Sequence, residues 1–254
     1  MTPVLSVRDV TMRFGGIVAL SGITFDMPSG TILGLIGPNG AGKTTLFNCL
    51  SRLYTPTGGD ILFQGKSILG HPSHAIARLG IGRTFQNLAL FRGLSVLDNV
   101  LVGAHARLRA NSFDDAFRTF RAVSSEREAS RIALEALDHL GLREHSDDLV
   151  GELPFGTQKR VELARALATD PSLLLLDEPA CGLNHEEVRE LGGLIRSIRA
   201  DKRISILLVE HNMDLVMSVS DTIVALNFGR KIGEGAPEAV QADPTVIAAY
   251  LGGS

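Results

Sequence analysis

The chain has 254 residues, of which 44% are hydrophobic and 21% charged, enough to bury a substantial core in one large domain or two close lobes. Its 25 basic against 28 acidic residues leave a net charge of −3, with no basic excess to attract nucleic acid. No apolar run approaches the ~18 residues of a membrane-spanning helix, no basic-then-apolar N-terminal stretch suggests a secretory signal, and Cys49 and Cys181 lack the spacing of a zinc site or disulfide framework.

Along the chain, β-rich segments come first, at Val4–Val10, Val18–Met27, Thr31–Ile36 and Asp60–Gln64, separated by Gly, Pro and Ser turns. Thr44–Leu53 reads as a helix that opens directly after a glycine-rich loop. From Val96 to about Leu149 the pattern becomes helical. In Ser125–Leu142 the residues Ala129, Ile132, Ala133, Ala136, Leu137 and Leu140 recur at helical spacing and form one apolar face. Beyond this stretch, helices at Gly156–Ala168, His185–Ala200 and Met213–Val219 alternate with apolar strands at Leu173–Asp177 and Ile204–Val209. Near-continuous apolar strands between helices predict a parallel sheet covered on both faces. Ile223–Asn227 and Lys231–Glu234 read as a hairpin around Gly229, and two short helices follow. A single unit over residues 4–251 is expected, with a helical part at about 87–168 inserted in an α/β core.

Gly37-Pro38-Asn39-Gly40-Ala41-Gly42-Lys43-Thr44 fits G-x-x-x-x-G-K-[ST] between a strand and a helix. Glycines let successive N–H groups face phosphate oxygens, and the helix N-terminus adds positive partial charge. In such a loop Lys43 reaches the β- and γ-phosphates, the Thr44 hydroxyl can ligate Mg²⁺, and Thr45 offers a further donor to the α-phosphate. This is a nucleotide site. Leu173–Leu176 then runs into Asp177 and Glu178. A carboxylate at the end of a buried strand can serve a Mg²⁺ shell, and the next one can polarise water.

Upstream of those acids, Leu153-Pro154-Phe155-Gly156-Thr157-Gln158 leads into the helix Lys159-Arg160-Val161-Glu162-Leu163-Ala164-Arg165-Ala166-Leu167. Here the sequence resembles the ATPases of ABC transporters, whose signature motif usually reads LSGGQ. Leu153 and Gly156 match, whereas Pro154, Phe155 and Thr157 depart from it. The resemblance implies an α/β P-loop NTPase fold of the ABC ATPase type: a parallel-sheet core, a small antiparallel β part and an inserted helical part. It also assigns positions. Gln86 falls where the family has a glutamine sensing Mg²⁺ and the attacking water, Asn184 falls in the D-loop, and His211 corresponds to the switch histidine on the γ-phosphate. Phe14 falls where an aromatic ring stacks on adenine. The implied ligands are ATP and Mg²⁺, the metal held by Thr44, Gln86 and Asp177. Glu178 is the implied base, with Gln86 and His211 beside it. Pro154, Phe155, Gly156 and Thr157 would serve the ATP held by a second subunit. Proline offers that phosphate no hydroxyl, so backbone N–H groups near Gly156 would carry the contact.

Finer features resemble the ATPases of branched-chain (hydrophobic) amino acid importers: Ile81-Gly82-Arg83-Thr84-Phe85-Gln86-Asn87, the Leu-Pro-Phe-Gly signature, Ala180–Asn184 and the tail from Asp243 to Gly252. This implies a peripheral protein on the cytoplasmic face of the membrane. Its implied partners are two permease subunits, a second ATPase subunit (the same chain or another) and, indirectly, an extracytoplasmic substrate-binding protein. An ATPase of another small-molecule or lipid transporter would share every core motif; a soluble non-transport ABC ATPase is the further alternative, against which stand the single cassette, the 134 positions between Lys43 and Asp177 and the lack of a basic face. Cargo contacts lie on other subunits.

Overall fold

The computed structural model describes residues 3–85, 88–107 and 120–251. Strands β1 (Leu5–Phe14), β2 (Ile17–Met27), β4 (Gly58–Phe63) and β5 (Lys66–Ser67) form an antiparallel sheet in the order β2-β1-β4-β5. A second sheet has the order β10-β9-β3-β8-β7-β6. Its members are β3 (Ile32–Ile36), β6 (Ile81–Arg83), β7 (Leu173–Asp177), β8 (Ser205–Val209), β9 (Thr222–Asn227) and β10 (Arg230–Gly235). Every pair in it is parallel except β9 with β10, which are joined through Phe228 and Gly229.

Alternation along the parallel strands explains why their sequences are apolar throughout. Leu33, Leu35, Leu173, Leu175, Leu207 and Val209 face one core, shared with the antiparallel sheet and α1 (Lys43–Leu50). Their neighbours Ile32, Ile36, Leu174, Leu176, Ile206 and Leu208 face the other core, under the helices. A strand buried on both faces has no polar side to show. The expected parallel sheet with a flanking antiparallel sheet is what the structure contains.

Between β6 and β7 the chain is mostly helical among the described residues. After the one-turn α2 (Ile76–Leu79) and β6 come α3 (Val96–Arg107), α4 (Phe120–His139) and α5 (Phe155–Leu167). The apolar face expected on α4 is buried: Ala129, Ala133 and Leu137 have no exposed surface. α6 (His185–Lys202) precedes β8, α7 (Met213–Val219) follows it, and α8 (Pro237–Gln241) and α9 (Pro244–Leu251) close the described chain.

Among the boundaries that moved are those of β1, α1 and α5. β1 runs on to Phe14 because its outer half pairs with β2 through several register shifts. α1 starts at Lys43 and stops at Leu50, after which Arg52 turns into the left-handed region. α5 starts one residue before the expected Gly156, with Pro154 as its N-cap. Cys49 and Cys181 are free thiols, as their spacing predicted, and burial pushes the Cys49 thiol up to about 11.

Candidate functional site

The glycine-rich loop is placed by β3, whose C-terminal end delivers the chain to Gly37, and by α1, which carries it away from Lys43. Gly42 caps that helix at φ 100°, a conformation that L side chains rarely adopt. The loop borders a cavity of about 930 Å³ lined by Asn39, Gly40, Ala41, Gly42, Lys43, Thr44, Thr45, Glu178 and His211. Its apolar side consists of Ile17, Val18, Ala19 and Phe228. Lys43 is buried, and its Nζ donates to the Gly37 carbonyl at 2.6 Å and the Pro38 carbonyl at 3.0 Å. Burial lowers its pKa, and the charge of Glu178 opposes that shift. A cation fixed on its own loop's carbonyls, beside free amides at a helix start, suits a polyphosphate chain.

Across the cavity, β7 ends in Asp177 and the chain turns at Glu178, which holds φ +48°. Such a backbone costs a non-glycine residue about 1–3 kcal/mol and persists where its surroundings fix it. Here the Glu178 N–H donates to the Val209 carbonyl at 2.9 Å, while its Oε1 lies 2.8 Å from Nε2 of His211. The two candidate proton-handling groups are thus in contact.

Asp177 is buried and held by Arg83, whose guanidinium lies 3.0 Å from Oδ2. Arg83 also donates to Asn48 Oδ1 at 2.9 Å and to Ser51, and sits over the rings of Phe47 and Phe85 at 5.1 Å each. Burial raises the pKa of Asp177, and Arg83 opposes the rise. Thr44 lines the cavity, whereas Asp177 lies behind the lining with its Oδ2 taken by Arg83; hydroxyl and carboxylate oxygens are the donor types that suit Mg²⁺, a hard cation that commonly keeps waters and takes one or two carboxylates plus substrate phosphates. Among the described residues no group of three or more His, Cys, Asp or Glu could hold a metal ion. Gln86, the remaining candidate for this ion, lies outside the described residues. Its flanks are tied to α5: Glu162 accepts the Phe85 N–H at 3.1 Å, and Arg165 donates to the Ala89 carbonyl.

Phe14 does not join the cavity lining. It ends β1 opposite Ile17 across a turn at Gly15 and Gly16, and its half-exposed ring meets Tyr54 edge-on at 5.3 Å between centroids. Pro154, Phe155, Gly156 and Thr157 also stay outside the lining, clustered at the start of α5 against α6. A Cβ on Gly156 would come within 2.5 Å of Glu187 Oε1. Asn184 is the N-cap of α6. Its side chain accepts the N–H groups of Glu186 and Glu187 at 2.9 and 3.0 Å, while Glu187 accepts the Asn184 N–H at 2.8 Å. An aspartate there would cap equally well.

Arg83, Glu162 and Glu210 are the polar residues at this site that motif reading missed. Glu162 and Glu210 are buried and Arg83 is mostly covered, which is rare for charged groups unless paired. Arg83 and Glu162 lie beside recognisable motifs, but their burial is not visible in the local pattern.

The ABC transporter family profile matches residues 20–181, and that of the branched-chain amino acid ATP-binding cassette transporter matches residues 230–254. The chain is 45% identical to the high-affinity branched-chain amino acid transport ATP-binding protein BraF of Pseudomonas aeruginosa, with 98% of each chain covered. It is 44% identical to LivG, a protein of the same description in Escherichia coli K12, again over 98% of each. Among solved structures, the ADP conformation of MJ1267, an ATP-binding cassette of an ABC transporter, superposes with a TM-score of 0.86 at 28% identity, covering 99% of this chain and 100% of that one. A nucleotide-free ATP-binding cassette from an ABC transporter gives 0.84 at 28% identity, over 98% and 99%.

Proposed function

This chain belongs to the ABC transporter family, and from that premise we propose that it is the ATP-hydrolysing subunit of an importer for branched-chain amino acids. The observation that carries the cargo class is the full-length identity to BraF and LivG, which extends through the tail matched by the branched-chain cassette profile. A nucleotide-binding cassette of an importer acts with membrane permeases. The protein would therefore sit at the cytoplasmic face of the membrane with two permease subunits, a second ATPase subunit and, through the permeases, an extracytoplasmic binding protein. No helix of the described residues is long and apolar enough to cross a membrane, so passage of cargo falls to the permeases.

In this reading Lys43 and the amides of Asn39, Gly40 and Gly42–Thr45 hold the triphosphate, and Ile17, Val18 and Phe228 offer apolar surface at the open side of the cavity. Phe14 remains a candidate for stacking on adenine from the rim. Thr44, Asp177 and Gln86 would hold Mg²⁺, which supplies charge neutralisation on the phosphates when bound. Glu178 polarises the attacking water, and His211, 2.8 Å from its carboxylate, orients that group and faces the γ-phosphate. Pro154–Thr157 would meet the nucleotide of the second ATPase subunit. Closed and open pairs then differ in affinity for ATP, and this difference lets hydrolysis drive the permeases.

The test is to express the chain with the permeases from its own operon, reconstitute the complex and measure ATP-dependent uptake of labelled leucine, isoleucine and valine. Uptake of these three with Lys43→Ala inactive supports the reading. Permeases that copurify but move only other cargo would overturn the branched-chain assignment and leave the ATPase role standing.

A further inference from the structure

Glu210 follows β8 and precedes His211, yet its side chain does not enter the cavity. It is 3% exposed, and its carboxylate bridges two loops. Oε1 accepts the N–H of Ala180 at 2.6 Å, and Oε2 accepts those of His211 and Asn212 at 3.0 and 3.2 Å. One oxygen therefore holds the segment that follows Glu178, and the other holds the segment that carries His211. Each segment is anchored further along. The Ala180 segment ends in the Asn184 capping box of α6, and Asn212 caps α7 by accepting the Leu215 N–H at 3.0 Å. The contact of Glu178 with His211 spans the same two loops.

We propose that Glu210 is a positioning residue for ATP hydrolysis: its buried carboxylate sets the relation of the Glu178 loop to the His211 loop by taking one backbone contact set on each oxygen. The proposal rests on the roles given above to Glu178 and His211. A carboxylate is the side chain this requires, because all three facing groups are donors. An amide could satisfy one loop only, and its NH₂ would confront the N–H groups of the other.

The experiment uses the full chain in complex with its permeases and compares Glu210→Gln, His211→Ala, Glu178→Gln and the Glu210→Gln/His211→Ala double variant. Glu210→Gln should lower kcat about 10²-fold, as displacing a catalytic group by an ångström does, with ATP affinity little changed. In the double variant the two losses should not multiply, because both act through His211. An unchanged kcat, or losses that multiply, overturns the proposal. If Glu178→Gln and His211→Ala lose turnover while Glu210→Gln does not, only the role of Glu210 falls. If neither loses turnover, the reading of the catalytic pair falls and takes this proposal with it. Should Glu210→Gln not fold, hydrogen exchange in the wild-type chain decides: the Ala180, His211 and Asn212 amides must be protected, and exchange at the unprotected rate overturns the bridge.

Discussion

At the scale of single residues, Glu178 joins strain to chemistry. Its left-handed backbone turns its side chain into the cavity, where it meets His211 at 2.8 Å. If Glu178 is the base proposed above, Glu178→Gln keeps shape and hydrogen bonding but removes it, so hydrolysis should fall by about 10²–10⁴-fold while ATP binding persists. Turnover of the assembled complex beside a nucleotide titration checks this, and near-normal turnover removes Glu178 from the role. Arg83 makes a different point. Removing one member of a buried ion pair leaves the other charge unpaired, at a cost of about 3–5 kcal/mol. Arg83→Met should lose stability of that order in a urea titration, and Arg83→Met/Asp177→Asn should regain part of it because the stranded carboxylate is gone. A single variant as stable as the parent would show that the contact carries no such weight.

Among the elements, α5 carries the segment that resembles the signature. Pro154 precedes the expected helix start at Gly156; its ψ of 150° makes it the N-cap, and the first helical bond runs from the Gln158 N–H to its carbonyl at 3.0 Å. No side chain caps this helix. Pro154→Ser should supply one and add about 0.5–2 kcal/mol of stability, measurable by denaturation without any partner subunit. Gly156 is restricted by packing within the chain: Gly156→Ala must push Glu187 aside and loosen the Asn184 box, so a change in dimer closure there has an intrachain cause as well. α5 also buries Glu162 against the flank of Gln86, and burial raises its pKa despite the Phe85 N–H bond. A group whose pKa is raised on folding takes up a proton as the chain folds, so its contribution is greatest below the unfolded pKa and is lost as pH rises through the folded one. Relative to Glu162→Gln, the wild-type chain should therefore gain stability on acidification from pH 7 through the carboxylate range. Parallel melting curves test this, and a stability difference that does not vary with pH contradicts it.

Over the whole molecule, sequence reading and structure agree where the information is local. The phosphate loop, the doubly buried strands and the apolar face of α4 each occupy a short window with a period or a fixed spacing. The contacts of Asp177 with Arg83, of Phe85 with Glu162 and of Ala180 with Glu210 join residues 94, 77 and 30 positions apart, and no local pattern encodes which polar side chain will be buried against which loop. Phe14 shows the same limit, because its ring pairs with Tyr54, from the loop after α1. The largest prediction belongs at this scale. The cavity holds Lys43, Glu178 and His211 but none of Pro154, Phe155, Gly156 or Thr157, so a chain alone presents its phosphate loop and its signature segment as separate surfaces. If the signature of one subunit completes the site of another, the isolated chain should hydrolyse ATP slowly, with a rate per subunit that climbs with protein concentration while paired molecules are the minority. Mixing Lys43→Ala chains, whose own site is disabled but whose signature is intact, into a dilute sample of wild-type chains should raise the rate per wild-type subunit. Lys43→Ala/Gly156→Asp chains should fail to do so, because a carboxylate then faces the γ-phosphate across the pair. A constant specific activity across dilution, unaffected by either addition, would mean that the site is complete within one chain.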